Sequence, residues 1–252
     1  MMTSDQYLKS LIFKKKASPI ELNDIRLYKI CEVIRKWSGD SLSRIIKSGS
    51  TAKQTAIKGI ADLDLFISLK SENSNSLKDI YNSLDNEIKS QGWQTRRQNV
   101  SIGIIESGIN IDLIPGKIQQ GYSNFHSIYT RKKDTWLQTN VDMHISKVIE
   151  SRRQNEIILI KIWREINQID FPSIYLELVI LEALKYKTVD NISHNFLTVL
   201  KYLSENFLSQ TFLDPANSNN VISEMLTYKE KEKISNLALL SLQKETWNQI
   251  IY

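Results

Sequence analysis

Apolar positions along this chain follow two periods, and the switch between them divides it. Residues 3–16 have helical spacing. So does the run opened by Pro19, with Ile20, Leu22, Ile25, Leu27, Ile30, Val33, Ile34 and Trp37, which Gly39 closes. Residues 41–48 read as one more helix, delivering the chain to Gly49 and a short polar turn. From 62 to 69 the period becomes two, with Leu63, Leu65 and Ile67 on one face and Asp62 and Asp64 on the other. After a polar loop at 71–76, residues 77–91 are amphipathic and helical, ending near Gly92. Two strands follow, 94–105 and 108–114, turning at Glu106, Ser107 and Gly108. Pro115 cannot continue a central ladder, so the second strand is predicted to stop there. From about Asp142 the pattern is helical throughout, over 144–164, 172–184, 193–208 and 229–251. The fold class is therefore α+β: a small mixed sheet backed by helices over residues 1–140, then an all-helical lobe over 141–252. A ligand is expected in the cleft between the two lobes.

The strand at 62–69 carries the chemistry. Asp62 and Asp64 share a face, with Cα atoms roughly 6.6 Å apart. Two such carboxylates repel unless a cation lies between them. Oxygen-rich carboxylate sites suit Mg²⁺, which also takes substrate phosphates as ligands. In the second strand Ile109, Ile111 and Leu113 face one way, and Asn110 and Asp112 the other. If that strand lies beside the first, Asp112 joins the pair. Three carboxylates can hold two Mg²⁺ ions (or Mn²⁺) about 3.5–4 Å apart, the clamp used for in-line phosphoryl displacement. A lone Asp-x-Asp is usually a solvated strand face. The Gly49-Ser50 turn upstream and the later Asp112 favour the catalytic and metal-binding reading.

Composition adds bounds. The chain has 252 residues, 41% hydrophobic and 24% charged, as in ordinary globular proteins. Its longest apolar run is broken by Glu177 and Glu182, too short and too charged for a membrane span. Lys14, Lys15 and Lys16 follow an apolar patch, the wrong order for a signal peptide. The single cysteine, Cys31, excludes an internal disulfide framework and fits a reducing cytoplasm. A net charge of +5 suggests an anionic partner, for which triphosphates alone suffice. Among the scattered basic groups, Arg131, Lys132 and Lys133 with Trp136 best suit contact with an oligonucleotide.

Residues 49–67 resemble the DNA polymerase β-type nucleotidyltransferase superfamily. They are most similar to the branch of CCA-adding enzymes, oligoadenylate synthetases and bacterial cGAS/DncV-like nucleotidyltransferases. Gly49, Ser50, Lys53, Thr55, Ile57, Lys58, Gly59, Asp62 and Asp64 fit that branch's motif, and Gln54 stands where it usually has glycine. The resemblance implies a polymerase β-like core in which Gly49 and Ser50 bind the incoming triphosphate, a turn entering a helix being suited to anions. It implies that Lys161, within an apolar stretch where a lysine needs an anionic partner or an exit to solvent, meets the β- and γ-phosphates. It gives Ser173 a phosphate contact, Tyr175 a place near base or sugar, and His144 a triphosphate contact. The Asp214-Pro215 segment resembles a family loop and reads locally as a turn with a helix cap.

The expected activity is nucleotidyl transfer from an NTP or dNTP with pyrophosphate release, without a template. The chain ends after the first helical lobe, which disfavours tRNA repair. The resemblance then implies a short or cyclic oligonucleotide made as a signal in bacterial anti-phage defence, acting with a separate effector or regulator. The alternatives are a toxin that modifies tRNA or protein, predicted to need a macromolecular acceptor, and a catalytically silent binding or antitoxin subunit. The presence of all three carboxylates argues against the last.

Overall fold

A computed structural model describes residues 2–252, with Ser123 by its backbone alone. In chain order its helices and strands are α1 (Ser4–Lys15), α2 (Tyr28–Ser38), β1 (Leu42–Ser48), a four-residue α3 (Gly49–Ala52), β2 (Leu63–Leu69), α4 (Leu77–Ser90), β3 (Arg96–Arg97), β4 (Ile102–Glu106), β5 (Ile109–Gln119), β6 (Tyr122–Thr130) and β7 (Thr135–Thr139). There follow α5 (Val141–Ser151), α6 (Gln154–Ile166), α7 (Ser173–Ala183), α8 (Ile192–Glu205), β8 (Leu213–Asp214), β9 (Asn217–Val221), α9 (Tyr228–Leu242) and α10 (Trp247–Ile250). The chain forms two compact units. One comprises Ser18–Gln54 and Ile60–Ile145; the other comprises the chain through Ala17, Thr55–Gly59 and Ser146–Tyr252.

The first unit is a mixed sheet in the order β1-β2-β5-β4-β3, with β6 on β5 and β7 beyond it. Only β2 and β5 run parallel. Leu63, Leu65 and Ile67 face a core that Ile30 and Ile34 of α2, Ile80 and Leu84 of α4, and Ile111 and Leu113 of β5 complete. Residues 41–48 are strand β1 and not the predicted helix. Ile45 pairs with Ile67 and Ser48 with Asp64, and the ladder on β2 outweighs the weak local preference. The strand at 108–114 also runs further than expected, through Pro115 to Gln119. On one edge of β5, β4 reaches only Leu113 and β6 begins at Gly116, so Pro115 sits where that edge makes no ladder bond. The expected strand at 94–105 is two short pieces, β3 and β4. β6 and β7 went unread because their polar residues mask the alternation.

The second unit is helical. Residues Ile157 to Trp163 of α6 are all buried, the mark of a helix enclosed on every side. The predicted helix at 144–164 is broken into α5 and α6, with Arg152 between them in the left-handed region at φ 58°. The buried Arg153 guanidinium fixes the break. It donates to the carbonyls of Leu184, Lys187 and Thr188 and to Glu156. The run at 229–251 is likewise two helices, α9 and α10. The Asp214 turn is part of the small β8–β9 hairpin, and Thr227, with Glu230, caps the helix that follows.

α1 belongs to this unit. Leu8, Leu11 and Ile12 are buried in its core, and Asp5 accepts the backbone N–H of Ser193 at 2.9 Å at the start of α8. The Tyr7 hydroxyl donates to the carbonyl of Ile251 at 2.9 Å. Residues 55–59 lie along the end of α1, with Ala17 N–H on Ala56 O at 2.9 Å and Lys58 N–H on Lys15 O at 2.8 Å.

Candidate functional site

Three adjacent strands align the end of β1 with two carboxylates. Ser48 is the register partner of Asp64, and Asp64 of Asp112. Gly49 follows Ser48 in the left-handed region at φ 58°, where glycine costs least. A Cβ there would lie 1.8 Å from Asp64 Oδ2, so the turn presses its bare backbone against that carboxylate. Ser50 is the next residue, half-buried in α3. Gln54 takes φ 59°, the conformation that the expected glycine adopts without strain.

Asp112 is held from the β3–β4 side. Gln98 Nε2 donates to its Oδ1 at 2.7 Å, and the Ser101 hydroxyl donates to its Oδ2 at 3.3 Å. Gly103, its register partner on β4, leaves room for this carboxylate and the Arg96 guanidinium. Burial lifts the Asp112 carboxyl above its ordinary range and the charge of Asp62 lifts it further, while Ser101, Arg96 and Gln98 act against them. Gln98, Ser101 and Arg96 were not foreseen. They lie in a stretch read as one strand, where no local signal says which side chain reaches Asp112.

Among the described residues, no three Asp, Glu, His or Cys side chains are gathered closely enough to hold a metal ion. The expected cage of Asp62, Asp64 and Asp112 is thus aligned by the strands but not closed, as mutual repulsion of the carboxylates favours. Their all-oxygen donor set, and the room Gly49 leaves beside Asp64, fit a hard dication.

The remaining expected residues divide. His144 lies half-buried in α5, with its N–H bonded to Asn140 O at 3.2 Å. In the helical unit Ser173 is exposed at the start of α7, where its hydroxyl accepts from Arg164 Nη1 at 3.2 Å. Lys161 is buried and finds an anionic partner inside the fold. Its Nζ is 3.5 Å from Glu177 Oε1 and donates to Thr55 Oγ1 at 3.0 Å. The position expected for Tyr175, near base or sugar, is corrected. Its ring is wholly buried 5.2 to 5.6 Å from those of Phe171, Phe207 and Phe212, which leaves no face for a ligand. Burial pushes its hydroxyl well above the usual range.

No model of a known protein family matches the chain. It is 20% identical to the CBASS oligonucleotide cyclase CdnC of Escherichia coli strain KTE188, over 94% of this chain and 88% of that one. Its fold matches that of E. coli MS115-1 CdnC solved with ATP, at a TM-score of 0.77 and 17% identity, covering 96% of this chain and 91% of the other. The same relative has been solved as a CdnC:HORMA-deltaN complex. The CD-NTase CdnG of Bradyrhizobium diazoefficiens, solved in complex with GTP, matches at a TM-score of 0.74 and 12% identity, covering 98% and 95%. The resemblance carried by residues 49–67 therefore extends over the chain, whose fold is that of the polymerase β-type nucleotidyltransferases.

Proposed function

We propose that this protein is a template-independent, metal-dependent nucleotidyltransferase that joins nucleoside triphosphates into a short oligonucleotide and closes it into a ring, as a signal in anti-phage defence. The observation that carries this is the alignment of Ser48, Asp64 and Asp112 across three strands, with the backbone of Gly49 against the Asp64 carboxylate. The full-length likeness to cyclases named for CBASS supports the cyclic product and the defence role. The HORMA-deltaN complex of CdnC supports a separate regulator for this chain too.

Asp62, Asp64 and Asp112 would hold Mg²⁺ or Mn²⁺, which supplies an acidified attacking hydroxyl and a neutralised leaving pyrophosphate. The hydroxyl oxygen bonds to the α-phosphorus as the bond to pyrophosphate breaks. Asp112, lifted by burial and steadied by Gln98 and Ser101, is suited to take the hydroxyl proton. Gly49 lets the backbone approach the triphosphate, and the Ser50 hydroxyl reaches a phosphate oxygen. Lys161, Ser173 and His144 are proposed to neutralise or orient the triphosphate. No described helix is long and apolar enough to cross a membrane, and we place the enzyme in the cytoplasm with its substrates.

The test is incubation with each labelled NTP and dNTP plus Mg²⁺ or Mn²⁺, with products resolved by mass. Cyclic oligonucleotides that disappear in Asp62→Ala plus Asp64→Ala support the reading. Labelling only of added tRNA or protein, or activity undiminished in the double variant, overturns it.

A further inference from the structure

The β6–β7 hairpin carries groups that the transfer reaction does not use. Thr130 and Thr135 close it, and its tip presents Arg131, Lys132 and Lys133 in succession, all exposed. Among the described residues none of these three is held in an ion pair. The acid of the tip, Asp134, is occupied by Lys78 Nζ at 3.0 Å and by the Tyr129 hydroxyl.

The tip is tied to the site through a single residue. Arg131 N–H donates to Asn99 O at 2.8 Å, Lys132 N–H to Asn99 Oδ1 at 2.9 Å, and Arg131 Nε to Gln98 O at 3.1 Å. Gln98 is the residue whose side chain grips Asp112. Trp136, 56% exposed, is the register partner of Tyr129 and so shares its face of the hairpin. Tyr129 packs on Tyr81 at 5.6 Å between ring centres, and the Arg97 guanidinium lies 5.1 Å from the Tyr81 ring. A row of cations and a solvent-facing indole thus stand beside a carboxylate assigned to the chemistry.

We propose that this hairpin is a binding surface for single-stranded oligonucleotide, holding the growing strand near Asp112 between successive additions. This rests on the nucleotidyltransferase reading above. Cations along a backbone with an aromatic platform for a base are the two ingredients of sequence-tolerant strand binding. A double helix keeps its bases stacked inside and offers Trp136 no face, so single strands are preferred.

The probe is a fluorescein-labelled hexa-adenylate RNA, its anisotropy followed in EDTA so that no turnover intervenes. Arg131 is left intact because its Nε supports Gln98. Lys132→Gln plus Lys133→Gln is expected to weaken binding and to lower the slope of log K against log salt by about 1.4, two phosphates at about 0.7 each. Trp136→Ala is expected to weaken binding about tenfold, within the range for one lost base stack, with the slope unchanged. Both variants keep formation of the first phosphodiester, assayed separately with Mg²⁺. The proposal is overturned if the wild-type chain does not bind the strand, if duplex RNA binds as well, or if the variants keep wild-type affinity and slope. Strand binding by a protein that transfers no nucleotide would instead overturn the activity and leave the surface standing.

Discussion

Gly49 admits no side chain. A Cβ would stand 1.8 Å from Asp64 Oδ2 in a backbone conformation that costs other residues about 1–2 kcal/mol. Gly49→Ala is expected to lower the melting temperature and to cut nucleotide turnover by at least about a hundredfold, since a 1 Å misplacement alone can cost that much. A variant with wild-type turnover would separate the turn from the chemistry. Asp112 makes the opposite trade. Its carboxyl titrates above the ordinary range, through burial first and the Asp62 charge second. The native state then holds that proton more tightly than the unfolded chain. This group's contribution is therefore present below the unfolded pKa and lost as pH rises through the folded value. Asp112→Asn is expected to abolish transfer yet raise the melting temperature of the metal-free protein at neutral pH, and to flatten this part of its pH dependence. A lower melting temperature across that range would refute the argument. The three carboxylates and Gly49 were legible because a period of two assigns a face and a glycine before a polar turn signals a close approach. Tyr175 was not, since local spacing cannot tell a ring facing a ligand from one facing Phe207 across the fold.

Among the elements, α6 shows how a sequence signal can be sound and incompletely read. A lysine inside an apolar run demands an anion, and the fold provides one in Glu177 on α7. Both side chains are 4% exposed, so losing one charge leaves the other buried and unanswered. Lys161→Met is expected to destabilise the protein by about 3–5 kcal/mol in denaturant unfolding, and Lys161→Met with Glu177→Leu to recover most of that. The double variant also isolates the proposed phosphate contact. A stable protein with a raised KM for NTP supports it; a stable protein with an unchanged KM removes it. The elements that went unread share a cause. β1 is a strand because β2 offers it a ladder, and the 144–164 helix breaks because the carbonyls of Leu184, Lys187 and Thr188 draw in Arg153. Each depends on partners distant in sequence, which periodicity within one segment does not register.

At the scale of the molecule, the pattern placed a lobe boundary near residue 140, and everything after it does read as helical. The compact units divide at 145 and 146, but the helical one also claims residues up to Ala17 and Thr55–Gly59. Those segments are structural members of its core. Leu8 is wholly buried there, as are nearly all of Leu11, Ile12 and Ile57. Asp5 covers the start of α8, Tyr7 satisfies the carbonyl of Ile251, and Thr55 receives a hydrogen bond from the Lys161 ammonium. A fragment of residues 141–252 would expose the apolar faces that meet Leu8, Leu11, Ile12 and Ile57, each such side chain being worth about 1.5–3 kcal/mol when fully buried. It would also leave Lys161 without its Thr55 acceptors. Four such losses amount to about 6–12 kcal/mol, comparable with the about 5–15 kcal/mol that holds a whole native protein together. The fragment is accordingly expected to keep helical far-ultraviolet dichroism while losing near-ultraviolet dichroism and cooperative melting, as compact states without fixed packing do. Cooperative unfolding of that fragment with well-dispersed amide resonances would show that the helical unit does not need the N-terminal helix, and that one boundary near 140 suffices after all.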